Sequence, residues 1–213
     1  MIVTGIREIN KSKVKIELDS EFAFVLYKGE LRLYEIEEGK ELKENIYHEI
    51  MDRILPKRAK LRAMNLLKSR SYTTAQLREK LEKGGYPFQI VEEAIQYVSS
   101  FGYVDDSQYA LDYIEYHKES RSRNRIYTDL LKRGISGNII AEAWEKAVGS
   151  DTPALEKEQI IQWMNKKHFA AQAATPKEQQ KMMAFLYRKG FSIEAIRSVL
   201  SLDITRSEER RVG

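Results

Sequence analysis

The chain has 213 residues, 42% of them hydrophobic and 32% charged, a composition typical of a folded protein and not of a disordered one. It contains no cysteine, which excludes disulfides, thiol nucleophiles and thiolate zinc sites. No run approaches the roughly 18 consecutive apolar residues that a membrane-spanning helix requires, and the first residues lack the segments of a signal peptide. We therefore expect a cytoplasmic protein that does not associate with a membrane.

The first part of the chain predicts β-strands. Residues 2–9, 14–18 and 22–27 are rich in β-branched and aromatic residues, and the turn-forming sequences NKSK and DSE separate them. Helical spacing begins near residue 43 and continues almost to residue 202. Because so small a sheet is marginal alone, we expect it to form an attached cap that packs on the helices.

Three segments of the helical part share one type of ending. The sequences LEKGGYP, LLKRGIS and LYRKGFS align on Gly85, Gly134 and Gly190, with a leucine four positions earlier and an apolar residue one position later. This is the pattern of a Schellman motif, in which a left-handed glycine lets the following amides bond the last carbonyls of the helix. Each next helix restarts at once, and we expect Pro87 in a first turn and Ser136 and Ser192 as N-caps.

The spacing of these glycines predicts the architecture. They are 49 and 56 residues apart, so each interval has room for one helix besides the pair that meets at the glycine. We infer a mainly α fold of three tandem three-helix repeats with a small N-terminal β segment. The predicted segments are a β extension (1–45), three repeats (46–101, 102–149 and 150–203) and a charged tail (204–213). The first helices of the repeats are predicted at about 46–69, 105–119 and 153–170.

The sequence offers no catalytic centre. The three histidines are isolated from one another, and no phosphate-binding glycine loop or nucleophile elbow is present. Asp105 and Asp106 stand side by side, but Asp105 with Gln108 matches a capping box, which explains the pair without a metal. We therefore expect no enzymatic activity, no metal and no cofactor.

Positive charge is concentrated in two runs. The net charge is only +4, but the sequence pI is about 9.0. The first run comprises Arg53, Lys57, Arg58, Lys60, Arg62, Lys68 and Arg70, and the second comprises Lys118, Arg121, Arg123, Arg125, Lys132 and Arg133. Such runs indicate either a solvated helix face or a surface that binds a polyanion, and charge alone leaves both open.

The order and spacing of four segments resemble those of the RecX regulatory proteins, bacterial modulators of the RecA recombinase. The segments are GYVDDSQYA (102–110), RNRIYTDLLKRGIS (123–136), SYTTAQLREKLEKGGY (71–86) and LYRKGFSIEAIRSVL (186–200). The resemblance implies a curved array of three-helix repeats that lies in the groove of the RecA filament on DNA. It also implies that the protein restrains the recombinase without being an enzyme.

By this matching, a recombinase- or DNA-binding role falls on a defined set of cations. They are Arg121, Arg123, Arg125, Lys132 and Arg133 in the middle repeat and Arg188 and Lys189 in the third. The expected partners are the RecA filament and, weakly, single-stranded DNA, and the chain is expected to be a monomer. Two alternatives stay open: a nucleic-acid-binding helical array that acts without a recombinase, and a scaffold whose basic face binds another acidic protein.

Overall fold

The computed structural model of the protein describes residues 1–201, so the predicted charged tail lies outside the described residues. Two compact units are present, one comprising Met1–Asp105 and the other beginning at Asp106. The fold is mainly helical with a small N-terminal sheet, as the sequence predicts.

The sheet has three antiparallel strands in the order β1-β2-β3. They are β1 (Val3–Glu8), β2 (Lys13–Leu18) and β3 (Glu21–Tyr27). Ile16, at the centre of β2, pairs with Ile6 on one side and Phe24 on the other. Alternate residues of β2 are buried, which gives the sheet one apolar face that must be covered.

The apolar face of the sheet is part of the core of the first unit. Phe24 and Leu26 belong to the same buried cluster as Leu77, Leu81 and Val91 of the helices. The sheet therefore packs on the helices, as the sequence predicts, and the two together fill one hydrophobic core. A strand pair or triplet of this size gains most of its stability from such burial.

The helices of the first unit begin earlier than the sequence predicts. A short helix, α1, directly follows β3, whereas the sequence predicts helix only from about residue 43. The elements are α1 (Lys28–Leu33), α2 (Glu44–His48), a π-helical segment (Glu49–Ile54), α3 (Leu55–Leu67), α4 (Thr74–Glu82) and α5 (Phe88–Ser100). The π-helical segment lies just before Pro56, which has no N–H to donate to a preceding carbonyl.

The second unit continues the same pattern with two further groups of three helices. Its elements are α6 (Asp106–His117), α7 (Arg123–Leu131), α8 (Gly137–Ala147), a 3₁₀ turn (Gly149–Asp151), α9 (Thr152–Lys166), α10 (Pro176–Arg188) and α11 (193–201). Two apolar clusters fill it, one around Ile114 and Leu130 and the other around Leu186 and Phe191.

The three glycine endings are confirmed. Gly85, Gly134 and Gly190 have φ angles of +83°, +82° and +94°. In the first, the Gly85 amide donates to the Glu82 carbonyl at 2.8 Å and the Tyr86 amide donates to the Leu81 carbonyl at 3.5 Å. The other two endings repeat this pair of bonds, which is the Schellman arrangement.

The predicted helix starts are confirmed in part. The Ser192 hydroxyl accepts a hydrogen bond from the Ala195 amide at 3.1 Å and caps α11. Ser136 occupies the N-cap of α8, but its side chain makes no capping bond. Pro87 is the N-cap of α5 and not a residue of its first turn, because its ψ of 151° is extended.

Candidate nucleic-acid interface

The start of α7 contacts the end of α10. The Ser122 hydroxyl caps α7 by accepting from the Arg125 amide at 3.4 Å, and it also donates to the Lys189 carbonyl at 2.7 Å. Beside it, the Asn124 amide group donates to the Gly190 carbonyl at 3.0 Å. Two predicted basic segments, 66 and 67 residues apart along the chain, are thereby brought together.

This contact forms the floor of a groove of about 410 Å³, which we call the junction groove. Four of the seven predicted binding residues line it, namely Arg121, Arg125, Arg188 and Lys189. Ser120, Ser122, Trp163 and Phe191 complete the lining. No carboxylate lies among these described residues, so the groove is suited to an anionic ligand.

Asp129 holds two of the four cations in position. Its Oδ2 lies 2.8 Å from Arg121 Nη1 and 3.3 Å from Arg125 Nε, and its side chain is only 9% exposed. Tyr113 donates its hydroxyl to the same oxygen at 3.3 Å. The carboxylate neutralises part of the charge of this pair, but it also restricts the rotamers of both arginines, which preorganises them.

The two cations from the end of α10 have different surroundings. Lys189 Nζ lies 4.4 Å from the centre of the Trp163 ring and 5.5 Å from that of Phe185, a cation–π arrangement. Arg188 is exposed and forms no ion pair within residues 1–201. Arg188 therefore has its full charge available to a ligand.

The other three predicted residues lie outside the junction groove. Arg133 donates to the Tyr109 hydroxyl at 3.2 Å and to the Asp129 carbonyl at 2.9 Å, so it connects α6 with α7. Arg123 stacks over the Trp144 ring at 5.5 Å, and Lys132 is exposed. The binding role of all seven residues stays a prediction, but only four share one surface.

The arginines also affect the titrating groups packed around Asp129. Burial, followed by the charges of Arg121 and Arg133, lowers the pKa of His117. Burial raises the pKa of Tyr113. Both rings, whose centres are 4.3 Å apart, are therefore neutral near pH 7.

A second basic groove, of about 520 Å³, lies in the first unit, and we call it the sheet groove. Five cations line it, from β2, α3 and the end of α4: Lys13, Arg58, Arg62, Lys80 and Lys83. Two of them belong to the basic run of α3 that the sequence reveals. Lys13, Lys80 and Lys83 lie outside that run, so charge runs alone do not reveal this groove.

Neither a metal-binding cluster nor a membrane-spanning helix is found in the described part of the chain. No group of three or more His, Asp or Glu side chains within residues 1–201 could hold a metal ion. None of the helices in this range is long and apolar enough to cross a bilayer.

The succession of three-helix groups places the protein in the class of helical-repeat proteins. Comparison with known proteins assigns the family. The family model described as RecX, first three-helix domain, matches residues 59–97, and that described as RecX, third three-helix domain, matches residues 155–200. These matches fall on α3–α5 and α9–α11, the first and last of the three groups.

Relatives extend the similarity over most of the chain. The regulatory protein RecX of Caldanaerobacter subterraneus subsp. tengcongensis is 33% identical over 204 residues, which cover 95% of this chain and 100% of the relative. That of Vibrio vulnificus is 32% identical over 140 residues, which cover 65% of this chain and 88% of the relative. The chain belongs to the RecX family of regulatory proteins.

Two solved structures share the fold. A crystal structure of regulatory protein RecX aligns with a TM-score of 0.61 at 21% identity, covering 93% of this chain and 98% of that one. RecX from Lactobacillus salivarius aligns with a TM-score of 0.59 at 19% identity, covering 69% of this chain and 95% of that one.

Proposed function

We propose that this protein binds the RecA recombinase filament on DNA and restrains its ATPase, strand exchange and coprotease activities, without catalysing a reaction itself. Membership of the RecX family supports this role, since the family resemblance in the sequence implies modulation of RecA. The protein would act in the cytoplasm as a monomer, with repeats at 46–101, 102–149 and 150–203 after an N-terminal segment.

The observation that carries the proposal is the junction groove. It places Arg121 and Arg125 of one three-helix group beside Arg188 and Lys189 of the next, with the Ser122–Lys189 hydrogen bond joining them. Cations held by neighbouring groups of one array can contact several points of a repeating, acidic filament at once. Many modest contacts made together give tight binding without any single strong one.

Weak binding of single-stranded DNA follows from the same charges. Arginine and lysine side chains contact backbone phosphates without reading bases, so the affinity would show little sequence preference and would fall steeply with salt. This property is shared with the alternative of a DNA-binding array that acts without a recombinase. The distinguishing feature is how much protein is needed to produce an effect.

The experiment uses RecA filaments preassembled on single-stranded DNA. The protein is added at a few per cent of the recombinase, and ATP hydrolysis is followed with and without excess free single-stranded DNA. We expect hydrolysis to fall at this low ratio and free DNA to restore it only in part. An effect that requires enough protein to cover the DNA, and that free DNA reverses completely, would contradict the proposal and favour the simple DNA binder.

Two charge reversals assign the effect to the junction groove. Arg188→Glu changes an exposed cation of the groove, and Arg197→Glu changes an exposed cation of α11 that does not line it. Arg188→Glu should relieve the inhibition of hydrolysis, whereas Arg197→Glu should leave it intact. Equal effects of the two variants would show that net charge and not the groove determines inhibition.

A further inference from the structure

We propose that the sheet groove of the first unit is a separate binding site for single-stranded nucleic acid, whose backbone phosphates occupy the groove. The inference does not depend on regulation of a recombinase, because every residue involved belongs to the first unit. Nor does it involve any of the seven residues that the sequence assigns to binding.

Uncompensated positive charge is the first argument. Among the five lining cations, Arg58 pairs with Glu30, and Lys83 pairs with Glu79. The other three, Lys13, Arg62 and Lys80, form no ion pair with any carboxylate of residues 1–201. Three cations that converge from a strand and two helices without acidic partners form a local positive potential, which attracts a polyanion.

The second argument is an unused hydrogen-bond donor at the base of the groove. Tyr86 lines the groove and is only 8% exposed, yet its hydroxyl has no hydrogen-bond partner among the described residues. Burial raises its pKa, so the hydroxyl keeps its proton and can donate. The hydroxyl oxygen itself reaches solvent, since the buried unpartnered side-chain atoms of residues 1–201 do not include it, and so it is free to donate to a phosphate oxygen in the groove.

The third argument favours nucleic acid over an acidic peptide. The ring of Tyr27 lines the groove and is 41% exposed, with Arg58 at 4.7 Å and Lys13 at 5.4 Å from its centre. Leu61, also in the lining, is 57% exposed. Aromatic and apolar surface next to cations matches a strand that alternates flat bases with charged phosphates, whereas an acidic peptide supplies charge without the rings.

The fold explains why these groups converge. The left-handed Gly85 ends α4 so close to β3 that a Cβ at this position would lie 2.1 Å from Val25 Cγ2. This approach places the end of α4, with Lys80 and Lys83, near the end of the sheet where Lys13 of β2 pairs with Tyr27 of β3. The groove is therefore a product of the shared core of sheet and helices.

The test uses the full chain and a fluorescein-labelled oligothymidylate of about 12 nucleotides, followed by fluorescence anisotropy at low salt. The variant Arg62→Glu/Lys80→Glu reverses two exposed groove cations. Its matched control, Lys57→Glu/Lys68→Glu, reverses two exposed cations of the α3 segment that do not line the groove. We expect the groove variant to weaken binding about tenfold and the control by less than about twofold.

A second readout locates the bound strand. An oligonucleotide of the same length that contains 5-iodouracil should photocrosslink to Tyr27, and peptide mapping should show this crosslink in the control variant but not in the groove variant. Tyr86→Phe should weaken binding about threefold, since it removes only the donor hydroxyl. Thermal melts that match the wild type would confirm that the groove variants are folded.

Three results would overturn the proposal. The groove and control variants could weaken binding equally, which would indicate general electrostatic attraction. The crosslinks could map only to the second unit. Polyglutamate of equal charge could compete as well as the oligonucleotide does, which would make an acidic peptide the occupant.

Discussion

The hydroxyl of Ser122 donates a hydrogen bond to the carbonyl oxygen of Lys189 at 2.7 Å. The same hydroxyl accepts from the Arg125 amide and so caps α7. One small side chain therefore gives a hydrogen-bond partner to a backbone amide at the start of α7 and to a backbone carbonyl at the end of α10. Ser122 is only 2% exposed, so both bonds are largely shielded from water.

Ser122→Ala should lower the free energy of unfolding of the second unit by about 1–2 kcal/mol, because it removes a cap and leaves a carbonyl without its partner. Urea unfolding followed by tryptophan fluorescence measures this, since Trp144 and Trp163 both lie in the second unit. Ser136→Ala is the control, because Ser136 occupies an N-cap without a capping bond, and should cost less than about 0.5 kcal/mol.

Gly85→Ala should destabilise the protein more than Gly39→Ala does. Both glycines are left-handed, with φ angles of +83° and +81°, so both substitutions carry the same backbone cost of about 1 kcal/mol. A Cβ added at Gly85 would overlap the Val25 side chain. A Cβ added at Gly39 would have no atom within 4 Å. We expect a further cost of about 1–3 kcal/mol at Gly85, measured by circular dichroism melts. Equal melting temperatures would contradict the packing of β3 against this turn.

Asp129→Asn should have opposite effects on stability and on DNA binding. The substitution removes the charge that Arg121 and Arg125 share, at a cost of about 1–2 kcal/mol, a modest value because both arginines are partly exposed. Without the neighbouring carboxylate the local potential at the two arginines becomes more positive. We expect this gain to outweigh the loss of preorganisation, so single-stranded DNA should bind about threefold more tightly. Asp112→Asn removes an equal charge from an exposed position on α6 and should change neither urea unfolding nor anisotropy titrations appreciably.

The stability of the second unit should fall as the pH is lowered through about 6.5. The pKa of His117 in the folded protein lies below its ordinary value of 6.5, owing first to burial and then to Arg121 and Arg133. The unfolded chain therefore binds a proton at a higher pH than the folded chain, and acid favours unfolding. His117→Gln should reduce the slope of melting temperature against pH between about pH 7.5 and 5.5. An unchanged slope would show that other groups control this range.

Features that depend on a few neighbouring residues could be predicted from the sequence. The Schellman endings are an example, because the leucine, the glycine and the following apolar residue lie within six positions. The hydrogen bond from the Ile135 amide to the Leu130 carbonyl joins two residues of that short stretch. The strands and the succession of three-helix groups follow from similarly local periodicity. The π-helical segment and α1 could not be predicted from the sequence, since neither has a distinct local pattern of residues.

The tertiary structure decided which cations share a surface. Arg125 lies in α7 and Arg133 just beyond the end of that helix, yet packing directs Arg133 towards Tyr109 and places Arg125 in the junction groove. Long, flexible side chains take partners from whichever elements pack beside them, and those elements are distant in sequence. For the same reason Lys13 and Arg62 line one groove only in the folded protein, because the core that the sheet shares with the helices brings them together and no local pattern does.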